Sequence, residues 1–143
     1  MNKELRKILN FIKKDFYTVE NVIAILSVGS LSEGKEDYFS DMDLIFYLKD
    51  LKKEYEVLEK IESIFNKLGY KILRKFKRYE KIIIYIFNEE LEYSTKIEIF
   101  LSLKDKVKEH ILYLANSEIK DIKNCILFDK GNIYQILKKN SVD

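Results

Sequence analysis

The sequence predicts an α+β fold in which a central mixed β-sheet is flanked by helices. Three observations predict it. Segments with helical spacing of apolar residues alternate with short, nearly continuous apolar runs. Three strand-like segments follow one another between residues 70 and 101, separated by polar turns. Two apolar runs also bracket a polar stretch that opens on Gly29-Ser30 and closes on Asp41 and Asp43.

Length and composition fit one domain spanning residues 1–143, long enough to bury a core. The apolar share of 47% is ordinary, and the aromatic share of 13% is high. Lys and Arg number 26 against 24 Asp and Glu, a net charge of +2. That balance argues against bulk electrostatic binding of nucleic acid, which is not expected as a partner, and leaves room for a local basic face. Cys125 is the single cysteine, so no internal disulfide forms, and its apolar neighbours mark it as a small core residue. The opening MNKELRKILNFIKKDF has no long uncharged apolar segment. No signal peptide or membrane span is expected, and a soluble cytoplasmic protein is.

The elements follow in order. Residues 3–17 place Leu5, Ile8, Leu9, Phe11, Ile12 and Phe16 at helical spacing, with Lys and Arg between them. Asn21 to Val28 is an apolar run suited to a buried strand, ended by Gly29. A helical turn is expected to begin at Ser30-Leu31, and residues 32–40 are polar and loop-like. Asp43 to Leu48 reads as a central strand. Asp50 to Leu68 keeps Leu51, Tyr55, Leu58, Ile61, Ile64, Phe65 and Leu68 on one helical face, with Gly69 as its stop. Strands are expected at Tyr70–Phe76, Lys81–Phe87 and Lys96–Leu101, the last two joined as a hairpin. A helix is expected from Lys104 to Ala115. A short strand from Ile122 to Phe128, a turn at Asp129–Asn132 and a helix from Ile133 to Lys139 complete the chain.

The chemistry is concentrated at the strand ends. Residues i and i+2 of a strand project from one face, so Asp41 and Asp43 can aim both carboxylates at one point. Two such groups repel unless a cation lies between them, and carboxylate oxygens are the ligands Mg²⁺ and Mn²⁺ prefer. The Gly29-Ser30 turn offers small residues and free N–H groups where a phosphate can approach. A third acid is Glu98, set between Ile97 and Ile99 on a predicted inner strand. A charge there is costly unless it faces a ligand or a partner. Alternation sends the isoleucines to one face and Glu98 to the other.

The pattern resembles the nucleotidyltransferase superfamily, with its polymerase-β-like fold. The residues that carry the resemblance are Val28-Gly29-Ser30, Asp41-Met42-Asp43-Leu44 and Ile97-Glu98-Ile99, over at least residues 22–101. Gly34 and Ser40 also match small prokaryotic members, which read Gly-Ser, Gly, then Ser-Asp-x-Asp. The resemblance implies Mg²⁺-dependent transfer of a nucleoside monophosphate from an NTP such as ATP, with two metal ions, or Mn²⁺ in their place. Gly29 and Ser30, with Ser40, would hold the nucleotide phosphates. Asp41 and Asp43 would ligate the metals. Glu98 would complete the second metal and lower the pKa of the acceptor hydroxyl. Many members carry Asp where this chain has Glu98.

The resemblance implies three outcomes for the acceptor. The first is AMP transfer to a tyrosine of a small helical HEPN-type partner, as in minimal toxin–antitoxin pairs. The second is a small hydroxylated molecule such as an aminoglycoside or lincosamide. The third is a non-catalytic nucleotide- or partner-binding module. So small an enzyme would borrow a substrate surface from a partner or a second copy of itself, a homodimer.

Each residue also has a structural reading. Ser30 serves as a helix cap, Asp41 and Asp43 as a solvated strand entry, and Glu98 as a partner of Lys96 or Arg74. Lys35 is a loop lysine and His110 a helix-surface histidine. The cluster Arg74-Lys75-Phe76-Lys77-Arg78-Tyr79 reads as a contact for nucleic acid or a triphosphate, and equally as an edge strand guarded by charge. Glu92 is the next acid in line should Glu98 not serve.

Overall fold

The computed structural model describes residues 3–28, 42–91, 94–110 and 122–139. The segment 29–41, with Gly29, Ser30, Gly34, Lys35, Ser40 and Asp41, lies outside them, as do Glu92 and residues 111–121.

Helix α1 (Lys3–Tyr17) is followed by β1 (Val22–Val28), β2 (Met42–Leu48) and α2 (Glu54–Lys67). Then come β3 (Lys71–Arg78), β4 (Lys81–Phe87) and β5 (Thr95–Leu103). A 3-10 helix (Lys104–His110), a short helix α3 (Ile122–Cys125), β6 (Ile126–Asp129) and α4 (Ile133–Lys139) end the described chain. The strands form one six-stranded sheet in the order β3-β4-β5-β2-β1-β6. β2 and β5 run parallel, and the other neighbours run antiparallel. The sheet is therefore mixed and flanked by helices, as the sequence predicts.

Two cores follow from strand alternation. On one face α1 and α2 cover the sheet, and the cluster there holds Ile25, Met42, Leu44, Phe46, Ile84, Ile97 and Ile99. α1 contributes Leu5, Ile8, Ile12 and Phe16, spaced by three and four residues so that one stripe is buried. Phe16 meets Phe46 edge to face at 4.9 Å, a favoured aromatic geometry. The second core is smaller. It joins Ala24, Leu26, Val28, Ile45 and Tyr47 to Val107, Ile133 and Leu137. The last two belong to α4, which thus covers only the β1–β2 side of this face.

Side chains lock the turns. Asn21 Nδ2 donates to the Asp50 carbonyl at 3.1 Å, and its Oδ1 accepts from the Asp50 N–H at 2.9 Å. The start of β1 is thereby tied to the end of β2. Asp50 Oδ1 accepts from the Lys52 N–H at 2.9 Å and caps the next turn. Gly69 ends α2 at φ +81°, which only glycine adopts freely.

Four expectations change. The helix expected over Asp50–Leu68 begins as a 3-10 turn (Leu51–Lys53) and becomes α-helical at Glu54. Its buried stripe is Val57, Ile61, Ile64 and Phe65, while Tyr55 is exposed. Ile61, Ile64 and Phe65 are buried as expected, with Leu51, Leu58 and Leu68 packed beside them, whereas Val57 joins the stripe and Tyr55, whose hydroxyl is better left wet, leaves it. The helix expected from Lys104 is a 3-10 helix through His110, of which Val107 is buried. The strand expected over Ile122–Phe128 is split into α3 and the shorter β6. Cys125 at that junction is buried, as expected.

Candidate active site

β2 and β5 are parallel neighbours, and their register pairs Asp43 with Glu98. The residues on either side, Met42 and Leu44 on β2 and Ile97 and Ile99 on β5, belong to the helix-side core. Alternation therefore turns Asp43 and Glu98 together to the opposite face. Adjacent strands lie about 4.8 Å apart, so side chains in lateral register touch. The two carboxyl groups stand within hydrogen-bonding reach of each other. Val28, the last described residue of β1, pairs with Asp43 on its far side, and Ile83 of β4 pairs with Glu98 on its own.

Two lysines attend the pair. Lys96 Nζ lies 3.5 Å from Glu98 Oε1, and Lys81 Nζ lies 4.0 Å from Oε2. Burial pushes the Glu98 pKa upward, but the hydrogen bond from Asp43 and the charges of Lys81 and Lys96 outweigh it, and the net shift is downward. Glu98 is held as a carboxylate. A cavity of about 350 Å³ opens over the pair, walled by Val28, Ile45 and Phe100 and carrying Lys81 at its rim. Its floor is apolar apart from the two acids and the lysine, which strengthens their fields.

The donor set fits a divalent cation. Side by side, two carboxylates repel, and here two ammonium groups offset the repulsion from the Glu98 side. A hard cation with oxygen ligands relieves it more directly. Among the described residues no cluster of three metal-ligating side chains occurs. Asp41, the expected third ligand, lies outside them, as do Gly29, Ser30 and Ser40.

The expected Glu98–Lys96 pairing is present, and Glu98–Arg74 is not, because Arg74 stacks over Phe76 at 4.8 Å. Sequence reasoning missed Lys81. The signal was available: Lys81, Ile83 and Tyr85 alternate with Ile82, Ile84 and Ile86, so Lys81 shares a face with whichever residue Ile83 neighbours. The missing piece was the antiparallel register, which sets Ile83 beside Glu98 and Lys81 beside Phe100.

A family model described as a nucleotidyltransferase domain matches residues 5–135. No curated protein matches the chain. Among solved structures, a mutant of the Cid1 poly(U) polymerase bound to MgATP superposes with a TM-score of 0.54 at 16% identity. That match covers 82% of this chain and 37% of the polymerase. A second Cid1 structure, described with its RNA terminal uridylyl transferase activity, gives a TM-score of 0.55 at 16% identity over 82% of this chain and 36% of that one. A cytoplasmic RNA terminal U-transferase gives 0.51 at 16% identity, with 82% and 36% covered. At this identity the likeness is one of fold. The chain spans a little over a third of the length of these three structures.

Proposed function

Because the chain belongs to the nucleotidyltransferase domain family, we propose that it transfers a nucleoside monophosphate, AMP from ATP, to a hydroxyl acceptor. One observation carries the reading: Asp43 and Glu98 lie side by side on parallel strands, in the floor of a cavity large enough for a phosphoryl group.

In this reading the acceptor hydroxyl gives its proton to the Glu98 carboxylate as its oxygen attacks the α-phosphorus, the bond from that phosphorus to the bridging oxygen breaks, and pyrophosphate leaves. Asp43 and Glu98, joined by Asp41, would hold Mg²⁺, and the bound ion would supply Lewis-acid polarisation of the phosphoryl oxygens and a lowered pKa at the acceptor hydroxyl. Glu98 orients that hydroxyl. Lys81 and Lys96 keep its carboxylate ionised for the task. The apolar walls from Val28, Ile45 and Phe100 exclude water, the competing acceptor. Gly29, Ser30 and Ser40 hold the triphosphate. The whole span 1–143 acts as one catalytic domain.

What the acid pair requires of an acceptor is a hydroxyl. A tyrosine of a small helical HEPN-type partner and a hydroxyl of an aminoglycoside-like drug both meet that requirement and enter the test as separate arms. The test supplies Mg²⁺ and α-labelled ATP with each acceptor in turn, and reads pyrophosphate and the label. Pyrophosphate release with label on an acceptor, lost in Asp43→Asn, supports the proposal. Full turnover by Asp43→Asn overturns it, and so does the absence of pyrophosphate release with every acceptor offered.

A further inference from the structure

The β3 strand divides its cations between the two faces of the sheet, with both of its arginines on one of them. Lys75 and Lys77 point to the helix side, where Lys75 pairs with Glu62 at 2.5 Å and Lys77 pairs with Glu54. Arg74 and Arg78 alternate with them and lie on the opposite face, the face of Asp43 and Glu98. There Arg74 packs its guanidinium over Phe76, and Arg78 has no acidic partner among the described residues. An edge strand guarded by charge explains the presence of these groups. It does not explain why both arginines fall on the open face while the lysines paired with acids fall on the other.

The register sets this face out in rows. Phe76, Ile83, Glu98 and Asp43 form one row across β3, β4, β5 and β2. The row on one side is Arg78, Lys81 and Phe100, and the row on the other is Arg74, Tyr85 and Lys96. The acids thus lie at the inner end of a lane whose outer part is lined by cations on both sides and floored by an aromatic ring. α4 covers the β1–β2 side of this face, whereas Arg74 and Arg78 are exposed and Phe76 and Tyr85 half-exposed. Arginine's planar fork matches phosphate oxygens in pairs, and aromatic rings on a sheet stack bases of any sequence.

We propose that the β3–β4 half of this face binds the acceptor, and that the acceptor is a single-stranded nucleic acid whose terminal hydroxyl reaches Glu98. Arg74 and Arg78 take its phosphates, and Phe76 and Tyr85 take its bases. The inference rests on the functional reading above and names the acceptor class it leaves open. A balanced overall charge does not oppose it, because the attraction is confined to one wing of the sheet.

The test measures binding of a fluorescein-labelled single-stranded oligoribonucleotide to the full chain by anisotropy, across a salt series. Binding of Mg²⁺ with a non-hydrolysable ATP analogue is measured separately. The expected result is binding that the same sequence as a duplex does not match. The double variant Arg74→Gln, Arg78→Gln should weaken it at least tenfold and flatten the salt slope by about 0.7 per lost phosphate contact. Phe76→Ala should weaken it roughly tenfold with the slope unchanged. Nucleotide binding and the circular dichroism spectrum should stay as in the wild type for all of these variants. Absent oligonucleotide binding, or binding indifferent to the arginines, overturns the inference. So does displacement by polyglutamate as effective as by unlabelled oligonucleotide, which would assign the wing to an acidic protein. Failure to bind the ATP analogue would instead strike the functional reading itself.

Discussion

The proposed chemistry turns on Asp43 and Glu98, and their partnership is a matter of register. A slip of one residue between β2 and β5 would set Asp43 beside an isoleucine and bury one of the two charges in the helix-side core. In the observed register each carboxylate has the other as neighbour, with Lys81 and Lys96 close by. Replacing Asp43 with Asn removes a charge from a crowded pair. The melting temperature of the metal-free protein should therefore stay level or rise, while turnover of Mg·ATP falls on the order of 10²–10⁴-fold. Calorimetry and a pyrophosphate assay on one preparation check both halves. Glu98→Gln should lose turnover to a similar extent, and near-normal activity in it would move the role to another acid, Glu92 first. The net downward shift of the Glu98 pKa fixes the sign of its linkage. The contribution is present above the unfolded value of 4.5 and is lost as pH falls through the lower folded value.

At the scale of elements, the strands were legible and the connections less so. β1, β2, β4 and β5 are continuous apolar or alternating runs, and their places match the expectation within two residues at each end. The exposed face of β3 was also legible as charge, and its edge position in the sheet accounts for that. The stretches Lys104–His110 and Ile122–Cys125 were less so, whereas the final helix Ile133–Lys139 lies where it was expected. Helical spacing at Val107 and beyond suggested an α-helix, yet the chain turns as a 3-10 helix, a local choice that apolar spacing does not distinguish over a few residues. Ile122 to Phe128 read as a strand because the residues are apolar, but apolarity alone does not separate a strand from a buried helical turn. Asp129 is the organising residue there. Its carboxylate accepts from the N–H groups of Gly131, Ile133 and Tyr134 at 3.1, 3.0 and 2.8 Å, so it caps α4. Asp129→Ala should cost about 1 kcal/mol of stability, read from denaturant midpoints at neutral pH. Because α4 shields the β1–β2 side of the active face, the variant should also raise hydrogen exchange in the backbone of α4.

For the whole molecule, the sheet works as a partition. Helices α1 and α2 seal one face into the main core, and the other face is divided between α4 and the open wing of β3 and β4. Of the candidate site, the sequence could name Asp43 and Glu98, which the fold brings together, and the face of Glu98. It could not state which strands neighbour which, because a parallel β2–β5 pair joins segments some fifty residues apart, and Lys81 enters the site through the antiparallel register of β4 on β5. The partition also sets the response to alkali. Burial raises the pKa of Tyr47, and burial together with the hydrogen bond to Glu4 raises that of Tyr70. Groups with raised folded values stabilise the protein below the unfolded value of 10.0 and lose that contribution as pH climbs toward the folded one. Above that pH the protein should lose stability, and tyrosinate absorbance from these two side chains should appear together with the loss of circular dichroism. Full ionisation of all tyrosines in the folded protein would contradict the assignment of these two to the interior.

The most direct measurement of the central claim is a Mn²⁺ titration followed by electron paramagnetic resonance, in the presence of a non-hydrolysable ATP analogue. It compares the wild type with Asp43→Asn and Glu98→Gln. The account predicts a bound-metal signal in the wild type and binding weakened on the order of 10–100-fold in each variant, with unchanged circular dichroism. Wild-type affinity for Mn²⁺ in either variant would contradict it.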